Sequence, residues 1–279
     1  MSEAVATAPE QSASTPALYP LDQSQQAVEL LIKLSDEKTL KIEHVLRRPT
    51  LAELIERDAQ SVTEMEEIAP NEDAFHADTE LANARLWDKV AQAVTGYKVG
   101  GRNKSESIAV TPEIAAKIPA GHKSVAISGL YASRCTVEKD DDEGFDLDGD
   151  SYVIRQDIGA GDEPQYVIRH TLKQPTEADR REYDKMAGKA SQVTGSRRRK
   201  VRFRANLKAE VAMYDKLFVS IEGVKVGESG EYNSSVQASY SDSPQSKATS
   251  ESAKPLVDPI FKRQVVQTLL SSLSASLSD

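Results

Sequence analysis

The side chains able to do chemistry in this sequence are few and scattered. Four histidines (His44, His76, His122 and His170), one cysteine (Cys135), an acidic run and an arginine run make up the candidates. A structural or catalytic zinc site needs three or four His, Cys or carboxylate ligands at short characteristic spacings. No cysteine or second histidine stands near His44 or His170, so both read as structural positions on strands, and His76 and His122 as isolated loop or helix residues. A reactive cysteine needs a positioned base or a lowered pKa, and the neighbours of Cys135 supply neither. The acidic stretch DDDEGFDLDGDSY (140–152) alternates Asp146, Asp148 and Asp150 around Gly149. It lacks the glycine at position six and the bidentate glutamate at position twelve of an EF-hand loop, so it reads as a solvated acidic linker, with weak cation binding as the alternative. The run Arg197-Arg198-Arg199-Lys200-Val201-Arg202-Phe203-Arg204 could meet phosphates. A solvated helix approach, or contact with an acidic protein surface, fits it better. No Walker A, GxSxG, HExxH or GxGxxG pattern occurs, and Gly96-Tyr97-Lys98-Val99-Gly100-Gly101 follows an apolar helical pattern where a phosphate loop would precede one. No catalytic residue, cofactor or metal site is expected.

The elements that would hold these residues come in two sets. TLKIEHVLRRPTLAELIERD (39–58) aligns without gaps on QYVIRHTLKQPTEADRREYD (165–184), with Ile42/Ile168, His44/His170, Leu46/Leu172, Pro49/Pro175 and Thr50/Thr176 identical. LANARLWDKVAQAVTGYKVGG (81–101) aligns on KAEVAMYDKLFVSIEGVKVGE (208–228), with Asp88/Asp215, Lys89/Lys216, Gly96/Gly223, Lys98/Lys225, Val99/Val226 and Gly100/Gly227 identical and Trp87 facing Tyr214. A third, weaker block sets 118–135 beside 257–274, in a register uncertain by one residue. Ordered blocks at nearly one offset mark an internal repeat.

Each unit begins as a β-hairpin: 27–34 with 39–46, and 151–158 with 165–172, apolar alternation flanking turn residues. Pro49 and Pro175 end the second strand. Thr50 with Glu53, and Thr176 with Asp179, have capping-box spacing. Leu86, Val90 and Val94, like Met213, Leu217 and Ile221, fall on one helical face, and Gly96 and Gly223 read as helix stops. Val266, Leu269, Leu270, Leu273 and Leu277 make the stripe of a last helix. The expected fold is α+β, a tandem duplication of a hairpin followed by about three helices.

The domain reading follows: 1–25 a disordered tail rich in Ala, Ser, Pro and Gln; 26–138 the first unit; 139–150 the acidic linker; 151–279 the second unit, with a Ser-rich loop at 229–255. The chain has 279 residues, a formal net charge of -9 and only 5% aromatics, which suits a soluble protein with small cores and argues against bulk non-specific DNA binding. One cysteine allows no internal disulfide and fits a reducing cytoplasm. Neither a secretory signal nor a membrane-spanning apolar run is expected.

The pattern of a strand, L-x-x-P-T, a polar helix, (W/Y)-D-K-(V/L), then G-(Y/V)-K-V-G and a last helix with lysine resembles tail-assembly-chaperone-type proteins of tailed phages and prophages. Leu46, Pro49, Thr50, Trp87, Asp88, Lys89, Gly96 and Tyr97 carry it in the first half; Leu172, Pro175, Thr176, Tyr214, Asp215, Lys216 and Gly223 carry it in the second. The resemblance implies a non-enzymatic cytoplasmic protein that binds the long helical tape-measure protein and keeps it soluble until the tail tube assembles. A structural virion component (a tail or capsid connector) is the first alternative, and a nucleic-acid-binding module using Arg197–Arg204 the second, though nucleic acid is not the expected partner. Two units and a long Ser-rich loop depart from the usual short single unit. Binding would use helix faces, with Trp87, Tyr214, Arg197, Arg198 and Arg199 as candidate contacts, and oligomeric state is left open.

Overall fold

The computed structural model describes residues 17–35, 38–68, 72–100, 106–138, 150–159, 164–190, 206–225 and 253–275. The fold is α+β, with helices packed on two four-stranded antiparallel sheets.

The first sheet has the order β2 (Gln25–Ser35), β3 (Lys38–Arg47), β4 (Ala91–Thr95), β5 (Ile108–Ala109). Between β3 and β4 run two helices, α1 (Leu51–Ile68) and α2 (Glu72–Val90); after β5 come the short α3 (Pro112–Ala115) and α4 (Ala120–Leu130). The second sheet has the order β6 (Ser133–Glu138), β7 (Ser151–Ile158), β8 (Tyr166–Lys173), β9 (Phe218–Glu222). Here α5 (Glu177–Ala190) and α6 (Leu207–Leu217) lie between β8 and β9, and α7 (Pro259–Ala275) closes the half.

Matched residues sit in matched registers. His44 pairs with Val28 across the hairpin and with Val94 on its other side; His170 pairs with Ile154 and Ile221. The β3–β4 ladder shifts register between Val45 and Leu46, and the β8–β9 ladder between Thr171 and Leu172. Both capping boxes form as the spacing predicts. Thr50 Oγ1 accepts from Glu53 N at 3.3 Å and the Glu53 carboxylate accepts from Thr50 N at 2.9 Å; Asp179 and Thr176 do the same at 3.2 and 2.8 Å.

Three expectations need correction. The helical face drawn through Leu86, Val90 and Val94 is cut short: α2 stops at Val90, and Val94 lies in β4. Likewise α6 stops at Leu217, and Ile221 lies in β9. Both short segments bond to the hairpin, and tertiary pairing outweighs the local period. Gly96 and Gly223 are consequently not helix caps. They end strands at φ +97° and +79°, where an added Cβ would lie 2.7 Å from Lys41 O and 2.1 Å from Val167 O. The backbone folds back onto the hairpin so closely that only glycine fits. Finally, residues 17–25 belong to the fold. β1 (Tyr19–Pro20) runs parallel to β10 (Val224–Lys225), and Tyr19 and Leu21 are buried. Tyr19 and Leu21 bring enough apolar surface to order a segment whose preceding composition is poor in it.

The halves are joined by polar and aromatic contacts. Arg48 pairs with Asp258 at 3.0 Å and donates to Leu21 O at 2.8 Å. Arg263 of α7 bridges Asp58 of α1 and Glu210 of α6. Phe261 takes the ring edges of Tyr19 and Tyr131, with centroids at 5.7 and 6.2 Å. β6 follows the first half in sequence and pairs with β7 in the second sheet.

Candidate functional site

The polar side chains with most chemical potential gather between sheet and helices in each half, and the two gatherings share a plan. In the first, Trp87 Nε1 donates to His44 Nδ1 at 2.9 Å, with both residues fully buried. An indole N–H can only donate, so Nδ1 is the acceptor and the neutral ring carries its proton on Nε2. That proton points to Tyr97 Oη at 3.2 Å, and the Tyr97 hydroxyl is hydrogen-bonded in turn to His122 Nδ1 at 3.0 Å. In the second half Tyr214 Oη stands 2.8 Å from His170 Nδ1, and Gln156 Oε1 stands 3.1 Å from Nε2. The amide oxygen can only accept, so His170 has the same tautomer and Tyr214 donates. The Gln156 amide nitrogen donates to Ser133 Oγ at 3.0 Å and to Gln264 Oε1 at 2.9 Å.

A lysine closes each cluster. Lys123 Nζ lies 2.6 Å from Asp88 Oδ1 and 5.1 Å from the centroid of the Trp87 ring; Lys262 Nζ lies 2.6 Å from Asp215 Oδ1 and 5.4 Å from the Tyr214 centroid. Both ammonium groups are buried, so the ion pair and the ring face together compensate their lost hydration. The two lysines stand at matched positions when the third sequence block is set without a gap, Lys123 on Lys262. A further matched pair, Lys89–Glu56 at 2.7 Å and Lys216–Glu182 at 2.6 Å, ties the two helices of each half together at the surface.

Burial holds His44 neutral, its pKa lowered to about 4, and that of His170 to about 3. Neutral rings with both nitrogens engaged fasten helix to strand and have no lone pair left for a metal or a substrate proton. The Arg47 guanidinium, helped by the Thr50 cap, holds the Glu53 carboxyl down at about 2, and Lys216, with Thr176, holds Asp179 at about 2.

Trp87 and Tyr214, candidate contacts for a partner, are therefore interior residues. Each is fully buried with its polar atom committed to a histidine. His122 is not isolated: it ends the Tyr97 chain. His44 and His170 hold the strand positions expected of them. The pairing of His44 with Trp87 had a signal in the sequence. Matched positions carry Trp and Tyr, which share a large ring and a hydrogen-bond donor, and a histidine recurs 43 and 44 residues upstream.

Cys135 is half-buried on β6, and burial pushes its thiol up to about 12, far from a reactive thiolate. It lines an open groove of about 610 Å3 between β6 and α7, with Ser133, Thr136, Gln264 and Thr268. A second cavity of about 280 Å3 lies in the first half under Tyr97, Lys98 and Val99, floored by Val94, Ile114 and Ile118. Among the described residues no group of three His, Cys, Asp or Glu could hold a metal ion, and no helix is long and apolar enough to cross a membrane. Arg197–Arg204, with the candidate contacts Arg197, Arg198 and Arg199, the greater part of the acidic run and of the Ser-rich loop, and the side chain of His76 lie outside the described residues.

Searches of protein-family models, curated proteins and solved structures return no match to this chain.

Proposed function

We propose that this chain is a non-enzymatic assembly protein of a tailed phage or prophage, built as a tandem of two related units, that binds the tape-measure protein during tail morphogenesis. The observation that carries the reading is the recurrence, in both halves, of one buried cluster made from the motif residues themselves. Trp87 or Tyr214, Asp88 or Asp215, and a lysine of the last helix meet around a strand histidine. In both halves these groups are occupied in fastening helices to a sheet. Function then falls to the outer surfaces, which suits a scaffold that presents two binding units at a fixed spacing. Two linked units raise the effective concentration of the second contact once the first is made. The bridges through Arg48–Asp258 and Arg263 hold that spacing.

Co-expression with the tape-measure protein of the same phage or prophage tests this. The expected result is a soluble complex that co-elutes in size-exclusion chromatography, together with loss of tape-measure solubility when this chain is omitted. Tape-measure protein that stays equally soluble alone and elutes separately would overturn the reading. Recovery of this chain in purified particles at fixed stoichiometry would make it a virion component instead.

A further inference from the structure

The two halves differ at one matched place. In the second, Val224–Lys225 is covered by the parallel strand β1: Tyr19 N donates to Gly223 O at 2.9 Å and Leu21 N to Lys225 O at 2.8 Å. Tyr19 sets its ring edge against Tyr166 at 5.3 Å and Phe261 at 5.7 Å, and Leu21 is 1% exposed. One short extended segment thus supplies two backbone bonds and two apolar anchors, spaced i and i+2. In the first half the matching residues are Tyr97 and Lys98, following Gly96 as Val224 and Lys225 follow Gly223. Among the described residues no strand pairs with them. The 280 Å3 cavity opens at this stretch instead.

Its lining is chemically specific. Val94, Val99, Ile114 and Ile118 supply an apolar floor, Lys98 and Lys117 are exposed on the rim, and among the described residues no carboxylate lines it. We infer that the Tyr97–Gly100 edge and its cavity form a docking site for an extended acidic peptide of a protein partner. The peptide's backbone runs along Tyr97–Val99 as β1 runs along Val224–Lys225. A large apolar side chain enters the cavity, and a neighbouring carboxylate meets Lys98 and Lys117. Among the described residues the segment of this chemistry, Ala17-Leu18-Tyr19-Pro20-Leu21-Asp22, is engaged on the second half, and the occupant inferred for the first is a segment of a protein partner. This site deepens the protein-binding reading by naming one surface and the chemistry it takes.

The probe is a synthetic peptide TPALYPLDQS, the chain's own residues 15–24, with p-benzoylphenylalanine in place of the tyrosine and a fluorescent label. Full-length protein is titrated, irradiated and mapped by mass spectrometry. Saturable binding with cross-links between residues 94 and 118 is expected. The exposed double charge reversal Lys98→Glu/Lys117→Glu should weaken that binding by about tenfold while leaving the thermal melt unchanged. Cross-links confined to Tyr166, Val224 or Phe261 would mean strand exchange on the second half and would overturn the site, as would no cross-link at all. The unsubstituted protein separates the two proposals. If it fails to bind the peptide while the tape-measure complex still forms, this site is wrong; if it binds the peptide and that complex fails, the assembly role is wrong.

Discussion

His44 and His170 hold the same place in two similar cores and are wired differently on one side. Each accepts from an aromatic donor on Nδ1, Trp87 or Tyr214, and each must dispose of a proton on Nε2. In the first half Leu30 lies opposite Ile42 and Tyr97 follows Gly96, so the proton goes to Tyr97. In the second, Gln156 lies opposite Ile168 and Val224 follows Gly223, so it goes to Gln156. The polar and apolar residues have exchanged positions as a pair: Leu30 with Tyr97 against Gln156 with Val224. A buried donor must find an acceptor, and the comparison shows that which neighbour supplies it is negotiable so long as one does. The first network runs to half-buried His122, and the second to half-buried Ser133 and Gln264 on the groove between β6 and α7.

The largest expected effect falls on the glycines that set this geometry. Gly223→Ala should cost more stability than Gly96→Ala, since its Cβ would meet backbone at 2.1 rather than 2.7 Å, with both exceeding about 3 kcal/mol in urea unfolding. Equal and small losses would refute the close-approach account. Next come the hubs. Trp87→Phe and Tyr214→Phe keep most of the ring but leave a buried histidine nitrogen without its donor, at about 1–3 kcal/mol each. The exchange itself is tested by a cycle: Tyr97→Phe strands His44 Nε2, and adding Leu30→Gln should restore part of the loss, with a coupling of about 1 kcal/mol. Strict additivity of the two substitutions would mean that position 30 cannot serve His44 as position 156 serves His170.

Acidification should load both halves together. An unfolded histidine takes up a proton near pH 6.5, while folded His44 and His170 hold out to about 4 and about 3. The unfolded state therefore binds more protons in this window. Stability is full above about pH 6.5 and declines as pH falls towards 4, by roughly 1.4 kcal/mol per pH unit for each histidine. The buried Asp258 carboxyl, pushed up by burial, titrates in the opposite sense. Denaturation midpoints at pH 7, 6, 5 and 4.5 measure the slope, and a flat profile would show that one or both rings are not held neutral. The smallest effect is expected at the helix–helix surface pair, where Lys89→Ala should change stability by no more than about 0.5 kcal/mol.

Much of this architecture can be read from the sequence because matched residues recur in it. The hairpins, the Thr50 and Thr176 caps and the histidine positions follow from short-range rules. What escaped those rules was set at long range. Ala91–Thr95 and Phe218–Glu222 carry a helical period, yet a neighbouring strand claims their backbone. Tyr19 and Leu21 are embedded in a composition that looks disordered, and only Phe261, Tyr166 and β10 show why they order. The His122–Tyr97 link spans 25 residues with no pattern to announce it. The Lys123–Asp88 and Lys262–Asp215 pairs were half visible, since each aspartate stands in a repeated D-K and each lysine in the weaker third block.

The strand at Tyr19 has a consequence for how the chain is made. It leaves the ribosome before any other described element, yet the edge it completes, Val224–Lys225, is synthesised some 200 residues later. The first half can form its own sheet while this segment waits, and the second cannot cover Phe261 and Tyr166 until the segment arrives. Closing that connection carries an entropic cost in the last folding step. The two halves therefore mature in sequence and are locked by a latch that was made first. A protease cut just after Leu21 would release that latch and leave the second half with an uncovered apolar seam.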